Sequence, residues 1–294
     1  MKYWFIFLWL YINGLVTVKC DAQQLEFGVK IGSVLYDGDL NTNLFATNVT
    51  NARGAFALYT KYNFKSAFAI QVNYMQGQLY GNDNKSLLGW QTTRNLNFSS
   101  PIKELSLIVE FRPLELLNKI FAISIMKNSL LKPYAFVGIG IFGFDPSTTY
   151  RGQKIDLQSL GTEGQGITGY PDKYRKTSYS IPFGLGIKYA LSKYFFISLE
   201  TSLRSTLTDY IDDISQYYLN DGFLKSHNGE LAAALANRSG ELPGKSRKDL
   251  TGINRGNQTN DSFYTLFLSL SYRFSKMGYG YNIFGKKKVV CPRL

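Results

Sequence analysis

The sequence predicts an all-β protein, an eight-stranded antiparallel transmembrane β-barrel with long outer loops. Three observations predict it. Eight segments alternate apolar and polar residues with period two, aromatic residues bracket the apolar faces, and an apolar export segment stands at the N-terminus.

The export segment comes first in the chain. Lys2 supplies a positive start, and residues 3–18 are apolar except for Asn13, Gly14 and Thr17. This is short of the roughly 20 residues a spanning helix needs and suits the apolar region of a secretory signal. Cys20 and Ala22 supply small residues at −3 and −1, which places cleavage after Ala22 and makes 1–22 a signal peptide. Lipidation at Cys20 is the rival reading, opposed by Lys19 where a small residue is wanted. An uncleaved anchor helix is the other.

About 270 of the 294 residues remain, and their composition points to strands. Tyr and Phe number 21 each and Gly 27, against 8 Pro, without long helical periodicity. Mean hydropathy is slightly negative, at −0.14. A helical membrane protein would be far more apolar, whereas in a transmembrane barrel only every second strand residue meets lipid. The net charge of +12 raises a nucleic-acid reading, but the basic residues do not interleave with aromatics as in single-strand binders. An exported protein meets anionic lipid or acidic proteins instead.

The eight segments follow in order. The first sets Leu25, Phe27, Val29 and Ile31 against Glu26, Gly28, Lys30 and Gly32; the second sets Phe56 and Leu58 against Ala55, Ala57 and Tyr59. The third has Phe68, Ile70, Val72 and Tyr74 opposite Gln71 and Asn73, and the fourth Leu105, Leu107, Val109 and Phe111 opposite Glu104, Ser106 and Glu110. The fifth has Ala135, Val137, Ile139 and Ile141 opposite Gly138 and Gly140, and the sixth runs from Tyr179 to Tyr189 opposite Ser180, Gly184, Gly186 and Lys188. The seventh has Phe195, Ile197, Leu199 and Leu203 opposite Ser198, Glu200, Ser202 and Arg204. The eighth has Tyr264, Leu266, Leu268, Leu270, Tyr272 and Phe274 opposite Thr265, Ser269, Ser271 and Arg273.

Lys30, Glu104, Glu110, Lys188, Glu200, Arg204 and Arg273 thus share one side of the sheet. In a soluble sandwich that side would meet water; in a small barrel it fills the lumen as paired charges. The export signal, the aromatic brackets and closure of strand edges favour the barrel. The domain spans 23–274. Expected outer connections are 37–52, 81–101, 144–178 and 207–263, and inner ones 63–66, 112–132 and 190–194. Long outside and short inside is the outer-membrane pattern; the exception, 112–132, reads as a periplasmic amphipathic helix.

Few residues suggest chemistry. The one histidine, His227, follows Ser226 in the longest outer loop, and no spacing supplies the carboxylate of a lipid-modifying triad. Asp209 and Asp213 would share a helix face, a spacing compatible with calcium; the plainer reading has Asp209 capping a short helix from Tyr210. The glycines of 161–166 lack the strand and Lys-Ser/Thr of a phosphate loop and read as turn residues. No enzyme, cofactor or metal site is expected.

A basic tail, 275–294, follows the eighth strand. Tyr279, Tyr281, Ile283 and Phe284 are apolar anchors, Lys286, Lys287 and Lys288 a positive patch, and Cys291 the single thiol left after cleavage at Ala22. An unpaired cysteine in an oxidising compartment points to an intermolecular disulfide.

Several stretches are telling: 36–40 (YDGDL), 94–98 (RNLNF), 132–146 (KPYAFVGIGIFGFDP), 160–166 (LGTEGQG), the 179–191 strand, 208–215 (TDYIDDIS) and Cys291-Pro292, the loop motifs being more specific than barrel closure demands. In these the chain resembles the PorG-like outer-membrane barrels of the Bacteroidetes type IX secretion system. The resemblance implies a non-enzymatic component of the secretion and gliding machinery. It also implies partners: a PorK/GldK-type ring lipoprotein and a PorN/GldN-type ring protein, with the tail docking to the ring and Cys291 bonding to the lipoprotein. The competing expectation is a small lipid-modifying or ligand-binding barrel.

Overall fold

The computed structural model describes residues 25–40, 49–86, 88–121 and 131–274. The expected signal peptide and the tail from 275, with Tyr279, Tyr281, Phe284, Lys286, Lys287, Lys288 and Cys291, lie outside the described residues. Ten strands occur among the described residues: β1 (Leu25–Asp37), β2 (Arg53–Lys65), β3 (Phe68–Asn82), β4 (Asn97–Phe111), β5 (Leu131–Phe144), β6 (Ser147–Tyr150), β7 (Gln153–Asp156), β8 (Thr177–Ala190), β9 (Phe195–Thr206) and β10 (Ser262–Arg273). Five helices accompany them: α1 (Gly89–Arg94), α2 (Pro113–Phe121), α3 (Leu157–Leu160), α4 (Asp221–Asn228) and α5 (Glu230–Ala236).

Eight of the strands close on themselves. The sheet runs β3-β2-β1-β10-β9-β8-β5-β4, and β3 pairs back with β4 along its whole length, from Phe68↔Phe111 to Asn82↔Asn97. Every pairing is antiparallel, so the architecture is a closed eight-stranded antiparallel barrel with no free edge. β6 and β7 form a side hairpin joined to β4 at Ser99↔Ser147. The β5–β8 ladder is interrupted between Val137↔Phe183 and Gly140↔Ser180. Pro182 lies in that gap and has no N–H to give.

Alternation holds on every barrel strand. On β3, Ile70, Val72 and Tyr74 face out while Ala69, Gln71, Asn73 and Met75 face in. Ile31, Ile139 and Leu185 are each more than three-fifths exposed, at 62%, 67% and 63%. A continuous apolar belt of this kind is tolerable only against lipid. Among the described residues no helix is long and apolar enough to cross a membrane; the strands do so. Aromatics touch one another around one rim: Phe27 on Phe274 at 5.5 Å, Tyr272 on Phe274 and on Phe195 at 5.2 Å each, and Phe68 on Phe111 at 5.2 Å. Amphipathic rings belong at such a membrane–water boundary.

This rim is the short-turn end. Between β2 and β3 stand only Ser66 and Ala67, with a bulge between Asn63 and Lys65, and between β8 and β9 only 191–194. The third short-end connection contains α2, opened by Pro113 at a position where a missing N–H costs nothing. The long loops gather at the other end. They are shorter than the sequence suggests where β3 extends to Asn82 and β4 starts at Asn97, and the third is built from β6, β7 and α3, which alternation over so few residues does not announce. The expected helix at Tyr210 is absent. Asp261 Oδ2 accepts the Ile211 N–H at 2.9 Å and Asp213 takes a left-handed φ of 68°, so 207–216 is an irregular segment. The helix of this loop starts instead at Asp221, with the Asn220 side chain accepting the Phe223 N–H.

Candidate functional site: a charged lumen beneath a four-loop cap

Inward-facing positions carry the charge. Lys30 donates to Glu200, which also accepts from the Tyr134 hydroxyl at 2.6 Å. Arg204 reaches Glu104 at 3.1 Å, and Ser180 gives that carboxylate a second bond at 2.9 Å. Lys188 bonds both oxygens of Glu26, at 2.5 and 2.6 Å, and Arg273 adds a third contact at 3.2 Å. Lys61 and Arg112 share Glu110. All seven lumen charges named from the sequence are here; Arg273, at the rim, is the most exposed of them. Glu26, Lys61 and Arg112 complete the set. Lys61 escaped the sequence reading because its neighbours Thr60 and Tyr62 give a weak outward signal.

Such pairing is required. An unpartnered charge in a lumen walled by lipid-facing strands would cost several kcal/mol. Aromatics fill the remaining space, and glycines admit them. A Cβ on Gly28 would lie 2.3 Å from the Tyr59 ring, and one on Gly186 at 2.3 Å from the Tyr134 ring. Toward the long-loop end the filling turns apolar, with Val34, Met75, Leu79, Phe98, Ile102, Phe142, Phe263 and Phe267 packed together. The lumen is a plug.

Above it the four long loops knit into a cap around two buried arginines. Arg94, closing α1, binds Asp83 and also donates to the carbonyls of Asp39 and Arg255, each at 2.8 Å. Arg255 donates to Glu163 at 3.0 Å and to the carbonyls of Asp213 at 2.6 Å and Ala236 at 3.3 Å. One arginine therefore ties the first, second and fourth loops and the other ties the third to the fourth. The loop stretches that stood out in the sequence meet here: Asp39, Arg94, Glu163, Asp212 and Asp213 belong to four different runs.

Carboxylates outnumber cations in the cap. The Tyr36 hydroxyl lies 2.6 Å from Asp212 Oδ2 and 2.7 Å from Asp261 Oδ1. One phenolic proton cannot serve two carboxylates, so one acid keeps its own. Burial and mutual repulsion accordingly hold both Asp212 and Asp261 well above the usual carboxylate range. Burial pushes Asp39 up to about 6, Asp209 to about 7 and Asp213 to about 6. For Asp213, Arg255 and hydrogen bonds from Thr162 and Tyr174 offset part of the rise. Among the described residues no three of these acids are arranged to hold a metal ion.

His227 lies exposed on α4. Its Nδ1 is 2.9 Å from the Phe223 carbonyl and 3.0 Å from Ser226 Oγ, and Ser226 itself donates to that carbonyl at 2.8 Å. A nitrogen that donates to a backbone carbonyl has no lone pair for the serine proton. The 161–166 glycines are turn residues: Gly161, Gly164 and Gly166 all have positive φ.

A family model described as a domain of unknown function, DUF6089, matches residues 4–233. A comparison with curated proteins finds no match. Among solved structures, the chain is similar to a major outer membrane protein from Thermus thermophilus (13% identity, 85% of this chain and 99% of that one, TM-score 0.39). It is also similar to Neisserial surface protein A (10%, 85% and 97%, TM-score 0.37) and to Ail, the attachment invasion locus protein of Yersinia pestis (13%, 85% and 97%, TM-score 0.37). The likeness is one of barrel architecture.

Proposed function

The chain belongs to the DUF6089 family, and from that premise and a filled, capped barrel we propose a non-enzymatic anchor for a secretion apparatus of the type IX kind and its associated gliding machinery. It sits in the outer membrane of a Bacteroidetes-like Gram-negative bacterium, long loops outside and termini in the periplasm. There it holds a periplasmic ring made of a PorK/GldK-type lipoprotein and a PorN/GldN-type protein. The carrying observation is the lumen: ion pairs and an apolar plug leave no path for a polypeptide or solute. A component that cannot conduct serves by holding. β1 starts and β10 ends side by side at the short-turn rim, at Glu26↔Arg273, and in this reading that rim faces the periplasm. Tyr279, Tyr281 and Phe284 are anchors of the type that dominate interface energies, and Lys286 to Lys288 steer the tail to an acidic surface.

Non-reducing electrophoresis of native membranes tests this. A higher-mass band containing this protein should collapse on reduction and vanish in Cys291→Ser. Wild type running only as a monomer refutes the covalent link. Deletion of 276–294 with ring association and secretion intact refutes the docking role.

A further inference from the structure

The cap holds a pocket that anchoring does not use. Its volume is about 250 Å3, and Trp90, Arg94, Tyr218, Lys248, Ile253 and Asn254 form most of its wall. Two of the cap's exposed large apolar side chains line it: Trp90 is 57% exposed and Ile253 53%. Neither is loose. The Arg94 guanidinium lies under the Trp90 ring at 5.0 Å and is itself fixed by its bonds to Asp83, Asp39 and Arg255. Ile253 is held by a short ladder: Tyr218 N–H donates to its carbonyl at 2.9 Å and Gly252 N–H to that of Tyr218 at 2.8 Å.

The polar groups between these walls have capacity left. Thr93 and Ser239 line the pocket, and their hydroxyl protons are committed to Gly89 O and Asn237 Oδ1. The Thr93 oxygen can still accept from a ligand, whereas buried Ser239 Oγ already accepts from the Lys248 N–H at 3.3 Å. The Tyr218 side chain is buried and its hydroxyl has no hydrogen-bond partner. The Asn254 amide is exposed. The charge of the lining is positive through the exposed Lys248, since Arg94 is matched by Asp83. Asp83 is taken by Arg94, and Asp249 is turned to the N–H and hydroxyl of Thr251.

A rigid indole and an aliphatic side chain lining one pocket with hydroxyl and amide groups suit a ring that is apolar on its C–H faces and polar around its edge. The volume takes one such ring and is too small for an acyl chain or a peptide helix. We infer that this pocket binds one pyranose ring of an acidic saccharide, its face on Trp90 and its carboxylate at Lys248. The pocket lies at the opposite end of the barrel from the end of β10, so it stands or falls independently of the anchoring role.

The sequence supplies the reporter. The other two tryptophans, Trp4 and Trp9, fall within residues 1–22, so a chain that starts at Gln23 keeps Trp90 as its one tryptophan. Fluorescence of the chain from Gln23 onward, purified in detergent, is titrated with glucuronate, glucose and phenylalanine amide, with Trp90→Phe as blank. Glucuronate should give a saturable change, with glucose weaker by about tenfold, the equivalent of about 1.4 kcal/mol. Lys248→Ala should bring glucuronate down to the level of glucose, and Asn254→Ala should weaken both. Both changed side chains are exposed, and unchanged heat-modifiable migration verifies the barrel. The inference is overturned by no saturable change with glucuronate, by full affinity in Lys248→Ala, or by tighter binding of phenylalanine amide than of either sugar, which marks a site for a protein side chain.

Discussion

Arg94 and Asp83 meet through two parallel hydrogen bonds of 2.8 Å, Nε to Oδ2 and Nη2 to Oδ1, with both side chains buried. A paired fork of this kind is among the stronger polar contacts a protein makes. Its removal is the first prediction. Arg94→Ala strands a buried carboxylate at a cost of about 3–5 kcal/mol and unties Asp39 and Arg255 together. Limited proteolysis should then cut the long loops faster, while the barrel keeps its heat-modifiable migration. Unchanged proteolysis would remove the arginine from the centre of the cap.

Leu268 is half-exposed at mid-strand, between Ile31 and Leu199, and its neighbour Ser269 is buried in the lumen. Leu268→Arg should destabilise the folded barrel by about 2–4 kcal/mol near the bilayer midplane, read as a shift in urea unfolding from lipid vesicles. If Leu268→Arg unfolds at the wild-type midpoint, Leu268 does not face lipid.

The lumen gives a coupled pair. Glu26→Ala leaves Lys188 buried without its carboxylate, at a cost of about 3–5 kcal/mol, and Glu26→Ala with Lys188→Met should recover most of it. Neither wild type nor the double variant should show stable conductance in planar bilayers. A steady open level in wild type contradicts a filled lumen.

The cap acids set a pH dependence. Asp39, Asp209, Asp212, Asp213 and Asp261 all titrate higher in the folded cap than the value near 3.9 of a free aspartate. Between the two values the folded state binds more protons, so stability falls as pH rises. Their contribution is complete below about pH 4 and is lost as pH passes 6 to 7, where Asp39, Asp213 and Asp209 ionise. Hydrogen exchange of 207–216, corrected for intrinsic rates, should be better protected at about pH 5 than at about pH 8, and Asp209→Asn should flatten the difference. Greater protection at the higher pH would reverse the sign and refute the assignment.

The barrel was legible because lipid tests every second residue along 12 to 15 positions per strand, so the pattern repeats until it cannot be mistaken. The lumen charges followed wherever a strong apolar neighbour marked the face, and Lys61 was missed where Thr60 and Tyr62 did not. The cap was not legible. Arg255 and Glu163 are 92 residues apart and Tyr36 and Asp261 are 225 apart, and no local period connects them. The Tyr210 helix failed for the same reason: the Ile211 N–H is taken by Asp261, 50 residues along the chain, and not by the expected cap Asp209.

The two-arginine cap also bears on how such a chain enters a membrane. Each long loop travels across the bilayer at the tip of its own hairpin, and the knot cannot tie until the last hairpin has crossed. Once tied, no loop can slip back without drawing buried ion pairs into hydrocarbon. The contacts among Asp83, Arg94, Glu163 and Arg255 thus act as a one-way catch. They add the cost of dragging buried charges through hydrocarbon to any retreat of a loop once all eight strands are in place.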